Sequence, residues 1–168
     1  GGYLAGATSI KGLNARQMFE QPRKAYVLLG AEPELDAFDA AQAMAALKQA
    51  EFVVALSAYQ HRALDYAHVL LPIAPFTETA GSFINTEGRV QSFHGVVKPL
   101  GETRPAWKVL RVLGNLLALD GFNYESSEDI RAELLGARSV DEVNVSARLN
   151  NRCQLPLPAL SSASAQTE

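Results

Sequence analysis

The 168-residue sequence contains one cysteine, Cys153, and only three histidines. One thiol cannot close a disulfide within the chain. Nor can it hold a structural zinc or an iron–sulfur cluster, which need several thiolates. His61, His68 and His94 show no metal-ligand spacing with a third donor close by. No Gly-x-Ser-x-Gly follows an apolar run, so Ser57, Ser82 and Ser92 lack the setting of an activated nucleophile. No residue is therefore assigned a catalytic or metal-ligating role. Basic residues are outnumbered, 15 against 18 acidic, giving a net charge of −3 and a pI near 5.7. That excludes the basic footprint of a nucleic-acid binder. Lys98, Arg104, Lys108 and Arg111 form the one basic stretch; with no stacking aromatic beyond Trp107 they read as a solvated helix face. No apolar run approaches the roughly 20 residues of a membrane helix, so no direct membrane insertion is expected. No signal peptide is visible. The chain starts Gly1-Gly2 without methionine, as expected of a piece of a longer polypeptide or a processed product.

What is present suits a single α/β domain with a tail. Apolar residues make up 48% of the chain, enough for a core. Ala25–Leu29 and Phe52–Ser57 are short apolar runs bounded by turn signals, the pattern of buried strands; His68–Leu71 is a third. Between them lie an alanine-rich helix, Ala37–Ala50, with Asp36 as its cap and Phe38, Ala41, Ala45 and Leu47 facing inward, and a short helix over Tyr59–Tyr66. Leu13–Glu20 reads as another short helix. Strand–helix alternation with short connections implies a parallel sheet with right-handed crossovers. The fold class is a partial Rossmann-like parallel three-layer sheet (βαβαβ) followed by a mainly helical C-terminal segment. Three strands are few for a doubly wound domain, so part of the sheet is expected to lie outside the chain.

Val90–Val97 reads as a further extended segment. Pro105–Leu119 is predicted as a helix, capped at Thr103 or Arg104 and stopped by Asp120-Gly121. Its only polar stripe is Lys108, Arg111 and Asn115, so it should be largely buried or pack on a partner. Ser126–Leu135 has a capping-box spacing at Ser126 and Asp129 and Gly136 as terminator. Ser139-Val-Asp-Glu142 repeats the capping signal more closely, ahead of a doubtful short helix. From Gln154 the proline- and serine-rich sequence reads as a disordered tail. The resulting division is residues 1–97, 98–150 and 151–168.

The polar residues have structural explanations. His61 and Asp65 are four apart and read as a surface pair on a helix. His68, at a strand start, reads as a satisfied polar group. Glu78 and Glu87 suit capping or turn roles. Gly30-Ala-Glu-Pro33 follows a strand, where α/β sheets bind ligands, but lacks a Gly-x-Gly-x-x-Gly pattern. Asn85-Thr-Glu-Gly-Arg89 reads as a tight turn, with Gly88 at positive φ and Arg89 pairing with Glu78 or Glu87. Cys153 reads as an incidental thiol.

The ordered series VLLPIAPFTETAGSFINTEGRVQ, with AYVLLGAEP upstream and RPAWK downstream, resembles the closing segment of the nucleotide-binding-like domain of molybdopterin oxidoreductases. The resemblance covers roughly residues 1–135. Within that family GLNA, KAYVLLGAEPE, INTEGRVQSF, VVKPLGETRPAWKVLRVLGNLLAL and GFNYESSEDIR look like the large iron–sulfur subunits of bacterial NADH:quinone oxidoreductases (respiratory complex I). The resemblance implies a C-terminal structural fragment of a complex that passes electrons from NADH to a quinone. Its expected partners are the rest of its own subunit and the other subunits of the peripheral arm, on the cytoplasmic side of the bacterial inner membrane. Its iron–sulfur clusters belong to a cysteine-rich N-terminal region not represented here. Cofactor-binding members of the family carry an acidic residue where Ser57 stands, and Asp where His68 stands; both departures imply a domain that has lost its pterin cofactor. The alternative is a fragment of an active molybdopterin oxidoreductase such as a formate dehydrogenase. There Gly30, Glu32, Ser57, Asn85, Glu87 and Arg89 are the residues implied to contact the cofactor.

Overall fold

The computed structural model describes residues 12–86 and 88–136. The first eleven residues, Glu87, and the Ser139 capping signal, Cys153 and tail after Gly136 lie outside the described part. Three parallel strands, β1 (Ala25–Leu29), β2 (Phe52–Ser57) and β3 (Val69–Pro72), form a sheet in the order β1-β2-β3. The α/β class, the parallel pairing and all three strands agree with the sequence reading. Register places Val27 beside Val54 and Leu29 beside Leu56, with Val54 beside Val69 and Leu56 beside Leu71. Side chains alternate between faces along a strand. Tyr26, Leu28, Val53 and Ala55 therefore share one face and are buried there.

That face is covered by α1 (Ala15–Glu20), α3 (Ala40–Gln49) and a 3-10 turn over Arg62–Asp65. Met18 and Phe19 come from α1, Met44 and Leu47 from α3, and Ala63 from the 3-10 turn. Tyr66, just past the turn, is buried with them. Tyr26 is fixed at both ends: its ring stacks on Phe19 at 5.9 Å, and its hydroxyl donates to the Met18 carbonyl at 2.8 Å. Burying each of Leu47 and Val53 contributes about 1.5–3 kcal/mol.

Two details of α3 differ from expectation. Pro33–Asp36 forms its own short helix, α2, and Asp36 accepts from the Glu32 amide there. Asp39 caps α3 instead, accepting from the Gln42 amide at 2.9 Å. The shifted start rotates the inward stripe to Ala43, Ala46, Leu47 and the capping Ala50, at i, i+3, i+4 and i+7. Leu47 is inward as expected, whereas Ala41 and Ala45 are exposed and Phe38, ahead of the helix, is fully exposed.

Beyond the sheet, β4 (Gly81–Ile84) and β5 (Val90–Phe93) pair antiparallel, with Phe83 and Phe93 stacked at 4.8 Å. The sequence reading found β5, though longer, and assigned no strand to β4. Helix α5 (Ser127–Leu135) packs Leu135 against Val90 and Ile84 of this hairpin. Its capping box is present as expected: Ser126 Oγ accepts from the Asp129 amide, and Asp129 accepts from the Ser126 amide. Helix α4 (Ala106–Leu116) is shorter than its pattern and has Pro105 at its cap. It stops before Asp120-Gly121 because Ala118 takes a left-handed conformation, φ 54°. Gly114 is its one fully buried residue; Trp107, Val109, Leu110 and Leu113 are half-buried, whereas Val112 and Leu116 are exposed.

Candidate functional site at the strand ends

In a parallel sheet the loops after the strands converge beyond their carboxyl ends, and ligands bind there. Two such loops meet in this chain. After β1, Gly30 turns the backbone at φ 56°, a conformation glycine adopts without a Cβ penalty. Its amide donates to the Leu56 carbonyl at 2.8 Å, which ties the turn to β2. The chain then enters α2 through Pro33, and Glu34 is held on its first turn. After β2, Ser57 leads into the loop that carries His61 and ends at Tyr66.

Glu34, His61 and Tyr66 form a closed polar cluster between these loops. The Glu34 side chain is 6% exposed and that of His61 12%. Glu34 Oε1 lies 3.3 Å from His61 Nδ1, and the Tyr66 hydroxyl donates to Glu34 Oε2 at 3.2 Å. The Ala63 amide also points to His61 Nδ1, at 3.2 Å. Nε2 of His61 is buried without a hydrogen-bond partner among the described residues. Burial, and then the Glu34 carboxylate, push the Tyr66 hydroxyl well above its ordinary pKa. It therefore keeps its proton and acts as a donor.

This cluster corrects the sequence reading of His61. The imidazole was expected to face Asp65 at the surface. It faces Glu34 across the loops, and Asp65 pairs with Arg62 at 3.3 Å. The reason is local: Arg62–Asp65 is a tight 3-10 turn begun by His61, so no α-helical i, i+4 geometry exists there.

The other candidates separate into two places. Gly30, Glu32 and Ser57 lie at the strand ends. Ser57 is buried, and its Oγ accepts from the Tyr59 amide at 3.1 Å. The Glu32 amide donates to Asp36 Oδ2 at 2.7 Å. Asn85 and Arg89 lie instead at the tip of the β4–β5 hairpin. The Asn85 amide donates to the Arg89 carbonyl, and Asn85 Oδ1 accepts from the Arg89 amide at 2.9 Å. Gly88 closes this turn at φ 79°. Glu78, one expected partner of Arg89, accepts instead from the Leu100 amide at 2.9 Å. His68 is a satisfied group as expected: Nδ1 accepts from the Val53 amide at 3.0 Å, and the ring lies against Phe52.

Glu32, Glu34 and His61 each bring one ligand-type atom within 4.8 Å of the others. Tyr66 holds one Glu34 oxygen, and His61 Nδ1 either donates to the other or accepts from the Ala63 amide, according to its tautomer, so these groups are engaged mostly with one another. Sequence reasoning missed this grouping. The available signal was topological: Glu34 follows β1 and His61 follows β2, and loops after adjacent parallel strands are neighbours.

Among the described residues no helix is long and apolar enough to cross a membrane. The sequence matches the family described as Molybdopterin oxidoreductase over residues 5–116. It is 36% identical over 90 residues to a putative formate dehydrogenase of Staphylococcus aureus strain MRSA252, covering 54% of this chain. It is 37% identical over 89 residues to a probable oxidoreductase of Bacillus subtilis strain 168, covering 53%. The match spans 9% of each of these relatives' own length.

Proposed function

The chain belongs to the molybdopterin oxidoreductase family, and from that premise we propose that it is a structural part of an NADH:quinone oxidoreductase and binds no pterin cofactor itself. Its parent would carry electrons from NADH to a quinone through iron–sulfur clusters held elsewhere. This part would pack against the rest of its own subunit and the other peripheral-arm subunits, at the cytoplasmic face of the bacterial inner membrane. The ordered motif series from Gly12 to Arg131 supports that assignment.

One observation carries the absence of a cofactor. Apart from His61 Nε2, the groups at the strand ends named here bond within the protein itself. Ser57 supplies one hydroxyl, already accepting from Tyr59, where a carboxylate would offer two acceptor oxygens. The neighbouring carboxylate, Glu34, is held by His61 and Tyr66. The amides of Gly30 and Glu32 are bonded internally. This donor and acceptor set does not fit the polar head of a pterin dinucleotide, and we derive no chemistry through that group.

A second reading is favoured by the relatives' printed names, a formate dehydrogenase among them. In it, Gly30, Glu32, Ser57, Asn85, Glu87 and Arg89 contact the cofactor of an active enzyme. Metal and pterin analysis of the purified parent protein separates the two. NADH:quinone activity without stoichiometric molybdenum or tungsten is expected. One such metal and a pterin per polypeptide, with formate-dependent dye reduction, would overturn the proposal in favour of the second reading.

A further inference from the structure

The cluster between the two loops carries charge that no Lys or Arg balances among the described residues. The Glu34 side chain is 6% exposed, and Glu32 is half-buried near it. Neither carboxylate has a Lys or Arg ion pair there; Arg62 pairs with Asp65 instead. Both carboxylates act on one spot. Burial first, then Glu34 by charge and hydrogen bond and Glu32 by charge, raise the Tyr66 pKa. A buried carboxylate is costly unless it is paired or coordinates a metal.

The contact between Glu34 and His61 is long for a hydrogen bond. Oε1 and Nδ1 stand 3.3 Å apart, past the usual N–H···O range of about 2.7–3.2 Å. The Ala63 amide approaches the same nitrogen at 3.2 Å. When Nδ1 accepts from that amide, no proton stands between it and Oε1, and two electron-rich atoms face each other. Ligands bonded to one tetrahedral ion at about 2.0–2.1 Å lie roughly 3.3–3.4 Å apart. The observed separation is therefore that of neighbouring ligands on one metal. Glu32 completes a set of three ligand-type atoms, one per residue, all within 4.8 Å of one another. Its carboxylate makes no hydrogen bond among the described residues, so it can turn inward at little cost.

We propose that Glu32, Glu34 and His61 form a binding site for one divalent transition-metal ion, of which zinc is the representative. The imidazole selects such an ion over calcium and magnesium, which take oxygen ligands. Glu34 Oε1, His61 Nδ1 and a Glu32 oxygen ligate it, and a water takes the fourth position. Two carboxylates match the charge of a dication. Tyr66, bonded to Glu34 Oε2, holds the ligating carboxylate in orientation, as outer partners of metal ligands do. Nε2 of His61 keeps its proton and has no partner among the described residues with or without the ion. The Ala63 amide gives up its acceptor, one neutral hydrogen bond set against three metal bonds. The ion pins the loop after β1 to the loop after β2. The site is built from this chain's own residues and does not depend on the reaction its parent performs.

The test is the zinc content of the purified parent protein, made without a histidine tag and equilibrated with low micromolar zinc chloride, against that of Glu32→Gln and His61→Gln. The original protein should hold one zinc per polypeptide more than either variant. X-ray absorption of that zinc should show an imidazole among oxygen ligands at about 2.0–2.2 Å. Zinc should raise the melting temperature of the original protein and leave that of Glu32→Gln unchanged. Equal zinc in the original and in either variant overturns the proposal, as does a zinc shell dominated by sulfur. If His61→Gln does not fold, Glu32→Gln decides alone by the same comparison. Molybdenum and pterin measured in the same preparation report on the proposed function separately, so either idea can fail without the other.

Discussion

The hydroxyl of Tyr66 donates to the carboxylate of Glu34 across 32 residues of sequence, at 3.2 Å, and joins the loop after β1 to the end of the loop after β2. Glu34 is almost fully buried, with no Lys or Arg ion pair among the described residues, so this bond and the one to His61 provide its polar contacts. The cluster sits beyond the carboxyl ends of the strands, where parallel sheets bind ligands, and it uses that position to hold the chain together.

Tyr66→Phe removes one of the two groups that satisfy Glu34. It is expected to cost about 1–3 kcal/mol, the penalty for leaving a buried acceptor unpaired. The shift of the urea midpoint measures it. A change below about 0.5 kcal/mol would mean that water serves Glu34 equally well.

Burial of Tyr66, with the Glu34 carboxylate beside it, sets an alkaline limit. Tyr66 has a raised pKa in the fold, so the folded chain holds this proton more tightly than the unfolded chain. Its contribution is full below the unfolded tyrosine value of about 10 and falls as pH rises beyond it. Stability measured from pH 8 to 11 should decline above about pH 10, and Tyr66→Phe should flatten that part of the decline.

Ser126→Ala removes the cap of α5 and should destabilise the helix and its contact with the hairpin by about 1 kcal/mol. The Asp129 carboxyl is held below its ordinary range, first by the Ser126 side chain and then by backbone amides. A lowered carboxyl pKa gives stability that is present above the unfolded value and lost as pH falls through the folded one. The variant should therefore lose less of its stability on acidification below about pH 4 than the original chain does. Circular dichroism across that range checks it.

Gly114→Ala should destabilise the turn after α4, although alanine favours a helix by about 1 kcal/mol over glycine. The added Cβ would run into the ring of Phe122, which lies directly against Gly114. Overpacking of this kind costs about 1–3 kcal/mol. Combining Gly114→Ala with Phe122→Leu should recover part of the loss in a thermal melt; no recovery would place the cause elsewhere.

The 168-residue chain alone is expected to self-associate. Val112 and Leu116 on α4 are exposed, as are Val27 and Leu29 on β1. Apolar patches of this extent mark contact surfaces. Light scattering coupled to gel filtration should give a mass above that of one chain. A monomer with a sharp cooperative melt would refute this.

By itself the sequence determined what short-range physics controls. Apolar runs bounded by turn signals such as Gly30 and Glu51 specify three strands. Ser126, Asp129 and Gly136 specify both ends of α5. The motif series around Gly81–Gln91 specifies the family. The start of α3 was less legible, because Asp36 and Asp39 are both good caps and only the packing of Leu47 and Ala50 in the sheet's core selects the second. Tertiary structure alone decided the rest. His61 turned from Asp65 to Glu34 because two loops distant in sequence follow adjacent parallel strands. The apolar character of α4 was plain in its residues, but whether it is covered depends on what stands opposite it. Pattern records which groups must leave water; only the assembled fold determines which partner receives them.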